Sequence, residues 1–514
     1  MSRETNDMTV TTTEPTAGDR PTTDAPTAAD GWPLIGRYGP VLGPLMLAAI
    51  GLVDLGRKGV WLDEAYTWSI VDQPTFSRFI DALDLTVSNM FGYMAIVRLV
   101  ASVGDGAVAL RLPSLMFAVL TVVAVWAIAR RVATPNAAGA AALLAGASVP
   151  LTFYGLEARS YAMLACLSAL SWLVLLRALD DDRPRHWVLL GLVTFGALSA
   201  HVIALLALPS IGVVVLMRHR IDRALLRLLP TGAAAAVCLA LIALSTPRDA
   251  AGFPPPLSLE VIVRSARLLA GDHGVFTRDG SGFVLMLLFL TLFALAAIRQ
   301  LQERPDRNDR SWIIWIWFLG PPLTTLVVSV VEPLLWHRML IGSLPAAFVI
   351  VGTYLADTRR RTVALATLFL IVILGFVRTE RIADDDLWEF EALAGELRER
   401  SQPGDVLSFT QPWERVGLDY YFRDEPDRFV AAPPMGPVLD YGEITQNAEL
   451  LTERVTGDRI WLIDGADGAP VWKGDLPSDD EFVFDEAVDL LPASATLIDR
   501  FELGRFSVRL YEVG

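Results

Sequence analysis

The chain has 514 residues, 53% of them hydrophobic, and a mean hydropathy of +0.44. That is too apolar for a soluble protein of this length and marks a polytopic membrane protein. A net charge of -15 leaves no basic face for nucleic acid, and two cysteines, Cys166 and Cys238, both inside apolar runs, give no disulfide framework or cysteine metal site.

The acidic residues lie mainly outside the apolar runs, in the N-terminal tail and after Thr379. Lys58 and Lys473 are the only lysines. Arginine in place of lysine on an acid-rich chain resembles the proteins of extreme halophiles, where dense carboxylates keep a surface hydrated in salt.

Residues 1–31 are rich in Thr, Pro, Ala and Asp without apolar periodicity, so the first 36 residues are expected to form a disordered cytoplasmic tail. No cleavable leader is expected, because the first apolar run starts near Tyr38 without a cleavage pattern. A bilayer core takes about 20 apolar residues of helix. Runs of that kind predict about 11 transmembrane helices, at 38–55, 112–129, 136–154, 161–178, 187–203, 204–217, 228–245, 282–298, 312–330, 339–356 and 362–378. Residues 87–103 are apolar but short and contain Arg98, and they predict a helix lying in the interface. Pro209 interrupts 187–217, which is read as two segments.

With the N-terminus inside, every basic cluster falls on the inner side: Arg130 and Arg131, Arg183 and Arg185, Arg218 to Arg227, Arg299 to Arg310, and Arg359 to Arg361. The outer face then receives Asp63 and Glu64, Glu157 to Tyr161, Glu332 to Arg338 and the whole tail. Residues 37–378 form the membrane domain in this scheme, and 379–514 an acidic extracellular α/β domain. Its predicted elements are helices at Leu387–Arg400 and Arg415–Phe422, strands at Asp405–Thr410 and Arg459–Asp464, and an antiparallel pair within Phe501–Glu512.

Three groups on the outer face carry chemistry. In GVWLDEAYTW, Trp61 and Trp68 flank Asp63 and Glu64. Aromatic rings favour the membrane boundary, and a carboxylate partly desolvated there gains proton affinity, which suits a general base. The plainer account is an acidic loop between spans. In YGLEARSY, Glu157 and Arg159 sit at the end of a span, and an arginine fork matches phosphate oxygens. In EPLLWHRM, His337 and Arg338 precede another span. Either arginine alone reads equally well as an interfacial side chain reaching water, and His337 as a structural histidine. Arg111 is a further anchor candidate. A carboxylate pair with two or three arginines at one lipid boundary suits transfer from a lipid-linked phosphate.

The sequence resembles the C-type membrane glycosyltransferases, family 39-like and similar to protein O-mannosyltransferases and the lipid A aminoarabinose transferase. The resemblance rests on WLDEAYTW, ALRLPSLMFAVLTVVAVWAIARR, FYGLEARSYAM and WHRMLIGSLPA, in order, between about Tyr38 and Arg378. It implies a C-type fold and transfer of one sugar from a polyprenyl (dolichyl) phosphate donor by inverting single displacement on the outer face. It implies Asp63 as the base with Glu64 assisting, Arg159 and Arg338 on the donor phosphate, and Tyr161, Glu157 and His337 lining the pocket. Glycan, glycoprotein or lipid are the acceptor classes. The chain departs from many relatives at Ser88-Asn89-Met90, where they carry His-Pro-Pro, and at Arg338-Met339, where they carry Arg-Tyr. Adjacent carboxylates without further ligands make a poor clamp for a divalent cation, so no metal and no cofactor are expected. Competing accounts are a transporter or flippase of lipid-linked sugars, which needs no base, and a scaffold of the same fold without catalysis. An oligosaccharide-transferring enzyme would carry Asp-x-Asp in the first loop and Trp-Trp-Asp in the tail, and neither is present.

Overall fold

The fold is that of a computed structural model, which describes residues 32–86, 90–104, 106–245, 256–272, 281–303, 310–383, 390–409, 415–425, 428–431, 458–465, 491, 493–504 and 506–514. The expected N-terminal tail up to residue 31 lies outside them, as do residues 387–389 of the expected tail helix.

The helical part begins with α1 (Trp32–Asp54), then three short helices, α2 (Leu62–Val71), α3 (Phe76–Thr86) and α4 (Phe91–Ala101). Next come α5 (Gly106–Val132), α6 (Pro135–Gly146), α7 (Val149–Gly155), α8 (Tyr161–Asp181), α9 (Pro184–Ala200), α10 (Leu208–Arg218) and α11 (Ile221–Ser245). An amphipathic α12 (Leu259–Leu269) precedes α13 (Ser281–Glu303), α14 (Ser311–Val328), α15 (Leu344–Asp357) and α16 (Arg361–Ala383). Among the described residues, eight helices are long and apolar enough to cross a membrane, and α6 with α7 makes a ninth, bent by 51°. Ser148 caps the second half, accepting from the Leu151 N–H.

Eleven helical segments therefore fall on the expected spans, but two are shorter than a full crossing. α9 stops at His201, whose backbone is extended, and a 3-10 turn over Val202–Ala207 leads into α10. Pro209 opens α10, so the sequence break lies at a helix start. At 11 residues, α4 is too short to cross. α1 and α5 begin six residues before their apolar runs.

Glycine and alanine set the closest packing. α6 reads PNAAGAAALLAG and is buried from Ala137 to Gly146. A Cβ on Gly139 would lie 2.1 Å from the Ile35 carbonyl oxygen, and one on Gly43 2.3 Å from that of Ala142. The two backbones touch, which is how helices associate in lipid without a hydrophobic driving force.

The C-terminal part contains α17 (Phe390–Arg400), β1 (Asp405–Phe409), α18 (Arg415–Phe422), β2 (Phe429–Ala431), β3 (Arg459–Asp464), β4 (Ala495–Leu503) and β5 (Phe506–Val513). The mixed sheet has order β2-β1-β3-β5-β4, with β1 parallel to β2 and β3, and β5 antiparallel to β3 and β4. β1 is buried along its whole length, the pattern of a strand covered on both faces. Leu407 and Phe409 meet α17 and α18 on one side, and Val406 meets Ile460, Leu462 and Tyr511 on the other.

The bundle has two chemically different ends. The C-terminal end of α1 and the N-terminal ends of α5 and α8 meet near the sheet. At the opposite end Arg131 and Arg310 both pair with Asp180, at 2.8 and 2.6 Å, and Arg227 pairs with Asp182.

Candidate active site

The site is built on the first turn of α2. Trp61 is extended and starts the helix, which puts Asp63 and Glu64 in its first turn, where the helix dipole favours negative charge. Successive residues on a helix point about 100° apart. The two acids therefore diverge: the Glu64 side chain is 1% exposed and that of Asp63 25%.

Glu64 turns inward and is saturated with donors. One oxygen accepts from Arg111 Nε at 2.7 Å and from the Ala158 N–H at 2.8 Å. The other accepts from Arg111 Nη2 at 2.6 Å and from the Trp61 N–H at 3.4 Å. Arg111, in the first turns of α5, also donates to the carbonyls of Leu55, Lys58 and Gly59. All five N–H bonds of its guanidinium are used. This hub ties the first loop, α5 and the loop between α7 and α8 together.

The loop between α7 and α8 is fixed from two further sides. Thr67 Oγ1 donates to the Ala158 carbonyl at 2.8 Å, and Ser114 Oγ to that of Arg159 at 3.1 Å. Its backbone thus sends Arg159 toward Asp63, Nε to Oδ2 3.5 Å. Arg338 arrives from the 3-10 turn His337–Ser343 before α15, and its Nη1 lies 3.4 Å from the same oxygen. Its guanidinium also sits over the Tyr161 ring at 5.5 Å. Tyr161 packs between Tyr154, 5.1 Å away, and His201, 6.0 Å away.

Asp63, Arg159, Arg338 and Tyr161 therefore come together although 275 residues separate Asp63 from Arg338. Glu157 joins them, buried. Its carboxyl is pushed up to about 8, first by burial and then by the negative charges of Glu64 and Asp63, against the pull of Arg338 and Arg159. His337, next to Arg338, is buried beside Trp336, rings 4.9 Å apart.

Three contributors are new. Lys58 lies over the Phe153 ring at 5.5 Å, and burial lowers its ammonium pKa against the attraction of Glu157. Tyr154 and His201 frame Tyr161. The FYGLEARSY stretch holds the signal for Tyr154, but nothing in the sequence marks His201.

Chemically, two guanidinium forks converge on a partly exposed carboxylate beside a buried acid of raised proton affinity. Such a site can hold a phosphoanion on the arginines and accept a proton at Asp63. An apolar cleft lies next to it, lined by Leu164, Ala197, Ile203, Leu208, Ile211 and Met339. Among the described residues, no three or more His, Cys, Asp and Glu side chains gather into a metal set.

Residues 90–246, from α4 to α11, match a family model described as dolichyl-phosphate-mannose-protein mannosyltransferase. The match includes Arg111, Glu157, Arg159 and Tyr161 but neither Asp63 nor Arg338. No curated protein matches the sequence. In fold, the chain is similar to ArnT from Cupriavidus metallidurans in the apo state, with a TM-score of 0.61 and 12% identity over 94% of this chain and 98% of that one. The same protein bound to undecaprenyl phosphate gives 0.59 and 13% over the same shares. The arabinofuranosyltransferase AftD from Mycobacteria gives 0.51 and 16%, covering 92% of this chain and 40% of that one. The chain is thus similar over residues 90–246 to that mannosyltransferase family and, over nearly its whole length, to the fold of ArnT.

Proposed function

We propose that the chain transfers one sugar from a polyprenyl phosphate-linked donor to a hydroxyl of a glycan, glycoprotein or lipid, with inversion, at the outer face of the membrane. The observation that carries this is the meeting of Arg159 and Arg338 on one oxygen of Asp63. The acceptor hydroxyl attacks the anomeric carbon as the bond from that carbon to the phosphate oxygen breaks. Asp63 takes the hydroxyl proton, and the polyprenyl phosphate leaves with its new negative charge facing the two arginines. The neighbouring apolar cleft receives the first isoprene units of the carrier. That a protein of the same fold is bound to undecaprenyl phosphate supports this choice of donor.

Glu64 has no free role in proton transfer here. Its oxygens already accept four hydrogen bonds, so it positions Asp63 instead. Tyr161, Glu157 and His337 shape the pocket. The arginine-bearing loops at the far end of the bundle support an inside N-terminus, which puts residues 379–514 outside the cell.

The test compares a deletion strain complemented with wild type or with Asp63→Asn, reading glycan mass on surface glycoprotein and on lipid carriers. The expected result is that Asp63→Asn lacks one sugar and accumulates its charged lipid carrier. Full restoration of the glycan by Asp63→Asn would remove the base assignment and favour a transporter of lipid-linked sugars.

A further inference from the structure

The N-terminal end of α2 is gripped from the sheet side as well as from the bundle. Tyr421, on α18, reaches Val60: its hydroxyl accepts from the Val60 N–H at 2.5 Å and donates to the Val60 carbonyl at 3.3 Å. The neighbouring Tyr420 meets Trp68 edge-on, with ring centroids 5.5 Å apart. Leu62 belongs to the apolar core of the sheet domain, with Phe390, Phe409, Leu418 and Phe422. Val60, Leu62 and Trp68 bracket Asp63 along the chain.

The bundle holds the opposite side of the same helix, through Glu64 to Arg111 and Thr67 to Ala158. α2 is therefore clamped between two bodies, with Asp63 at the junction. The clamp is itself anchored. Arg398 on α17 donates to the Tyr421 carbonyl at 2.6 Å and pairs with Glu425 at 2.6 Å. Its guanidinium also covers the Phe422 ring at 4.9 Å. Position along α2 is consequently set by a phenol 361 residues away in sequence.

We infer that Tyr421 is a positioning residue for sugar transfer: through its hydroxyl, the sheet domain fixes where Asp63 stands relative to Arg159 and Arg338. This rests on Asp63 being the base. Reaction rates are steep in the placement of a reacting group, and a shift of about 1 Å costs about a hundredfold. Tyr421→Phe keeps the ring and its packing but deletes both contacts to Val60.

The experiment uses the full-length protein in detergent with a polyprenyl phosphate-linked sugar as donor. For Tyr421→Phe, kcat is expected to fall about tenfold to a hundredfold while the donor KM stays within about twofold, because the arginines keep their places. Trp461→Phe is the matched control. It deletes a buried hydrogen bond in the same domain, Trp461 Nε1 to Asp405 at 2.7 Å, and leaves both Tyr421 contacts to Val60 in place, so it is expected to keep full kcat even if it melts lower. Wild-type kcat in Tyr421→Phe overturns the inference, and so does an equal loss of kcat in Trp461→Phe. Asp63→Asn, assayed alongside, separates the two levels. If it transfers at the wild-type rate, the base assignment fails and the tyrosine inference falls with it. If it is inactive while Tyr421→Phe is unimpaired, only the tyrosine inference fails.

Discussion

Arg111→Met is the most informative perturbation of stability. It removes five hydrogen bonds at once: two to Glu64 and one each to the carbonyls of Leu55, Lys58 and Gly59. Methionine fills similar space, so lost charge and donors dominate over lost volume. Glu64, 1% exposed, is left as an uncompensated buried carboxylate, which by itself costs about 3–5 kcal/mol. Each carbonyl left without a donor adds about 1–3 kcal/mol where water does not reach it. Even the lower end is a large part of the roughly 5–15 kcal/mol that holds an ordinary domain folded. Adding Glu64→Leu removes the stranded charge, so the double variant should be more stable than Arg111→Met alone, although it carries one more substitution. Thermal unfolding of the purified proteins in one detergent reads this directly. A melting temperature for Arg111→Met equal to that of wild type would refute the hub, and a double variant that melts below Arg111→Met would refute the stranded charge as its cause.

Two further outcomes are expected. Glu157 keeps its proton in the folded protein up to about pH 8, above its ordinary value of 4.5, so its contribution to stability is complete below about 4.5 and is lost as pH rises through about 8. The melting temperature of Glu157→Gln should therefore fall less than that of wild type over this window, and the rise in donor KM expected of wild type above pH 8, when a new charge faces the arginines, should be absent from the variant. Gly139→Leu should prevent α1 from seating on α6, since even a Cβ there meets the Ile35 carbonyl oxygen at 2.1 Å; loss of folded protein in size-exclusion profiles checks this, and a wild-type profile contradicts it.

The spans were legible because lipid demands long apolar runs, and the three polar groups stood out because charge at such a boundary is costly. Their meeting at Asp63 was legible only as shared sidedness. Asp63 and Glu64 look equivalent in sequence; the helical turn between them, one side chain facing Arg159 and Arg338 and the other Arg111, is a property of the fold. The shortening of α9 depends on the extended backbone at His201, which no local pattern announces. β2 is three residues long, too short for a period to show. The partnership of Tyr421 with Val60 spans most of the chain and leaves no trace in spacing.

Leu62 has a consequence for anyone who would cut this protein into parts. By covalent connection the sheet domain hangs from the end of α16, and a truncation after residue 383 looks like a clean excision. By packing, one of its core side chains belongs to the first turn of α2, more than 300 residues earlier. The physical seam between modules therefore runs through the first loop, not through the linker. A chimera that exchanges the C-terminal domain should take residues 59–68 with it, since otherwise the graft brings a core with a hole in it and leaves behind a leucine with no core to enter.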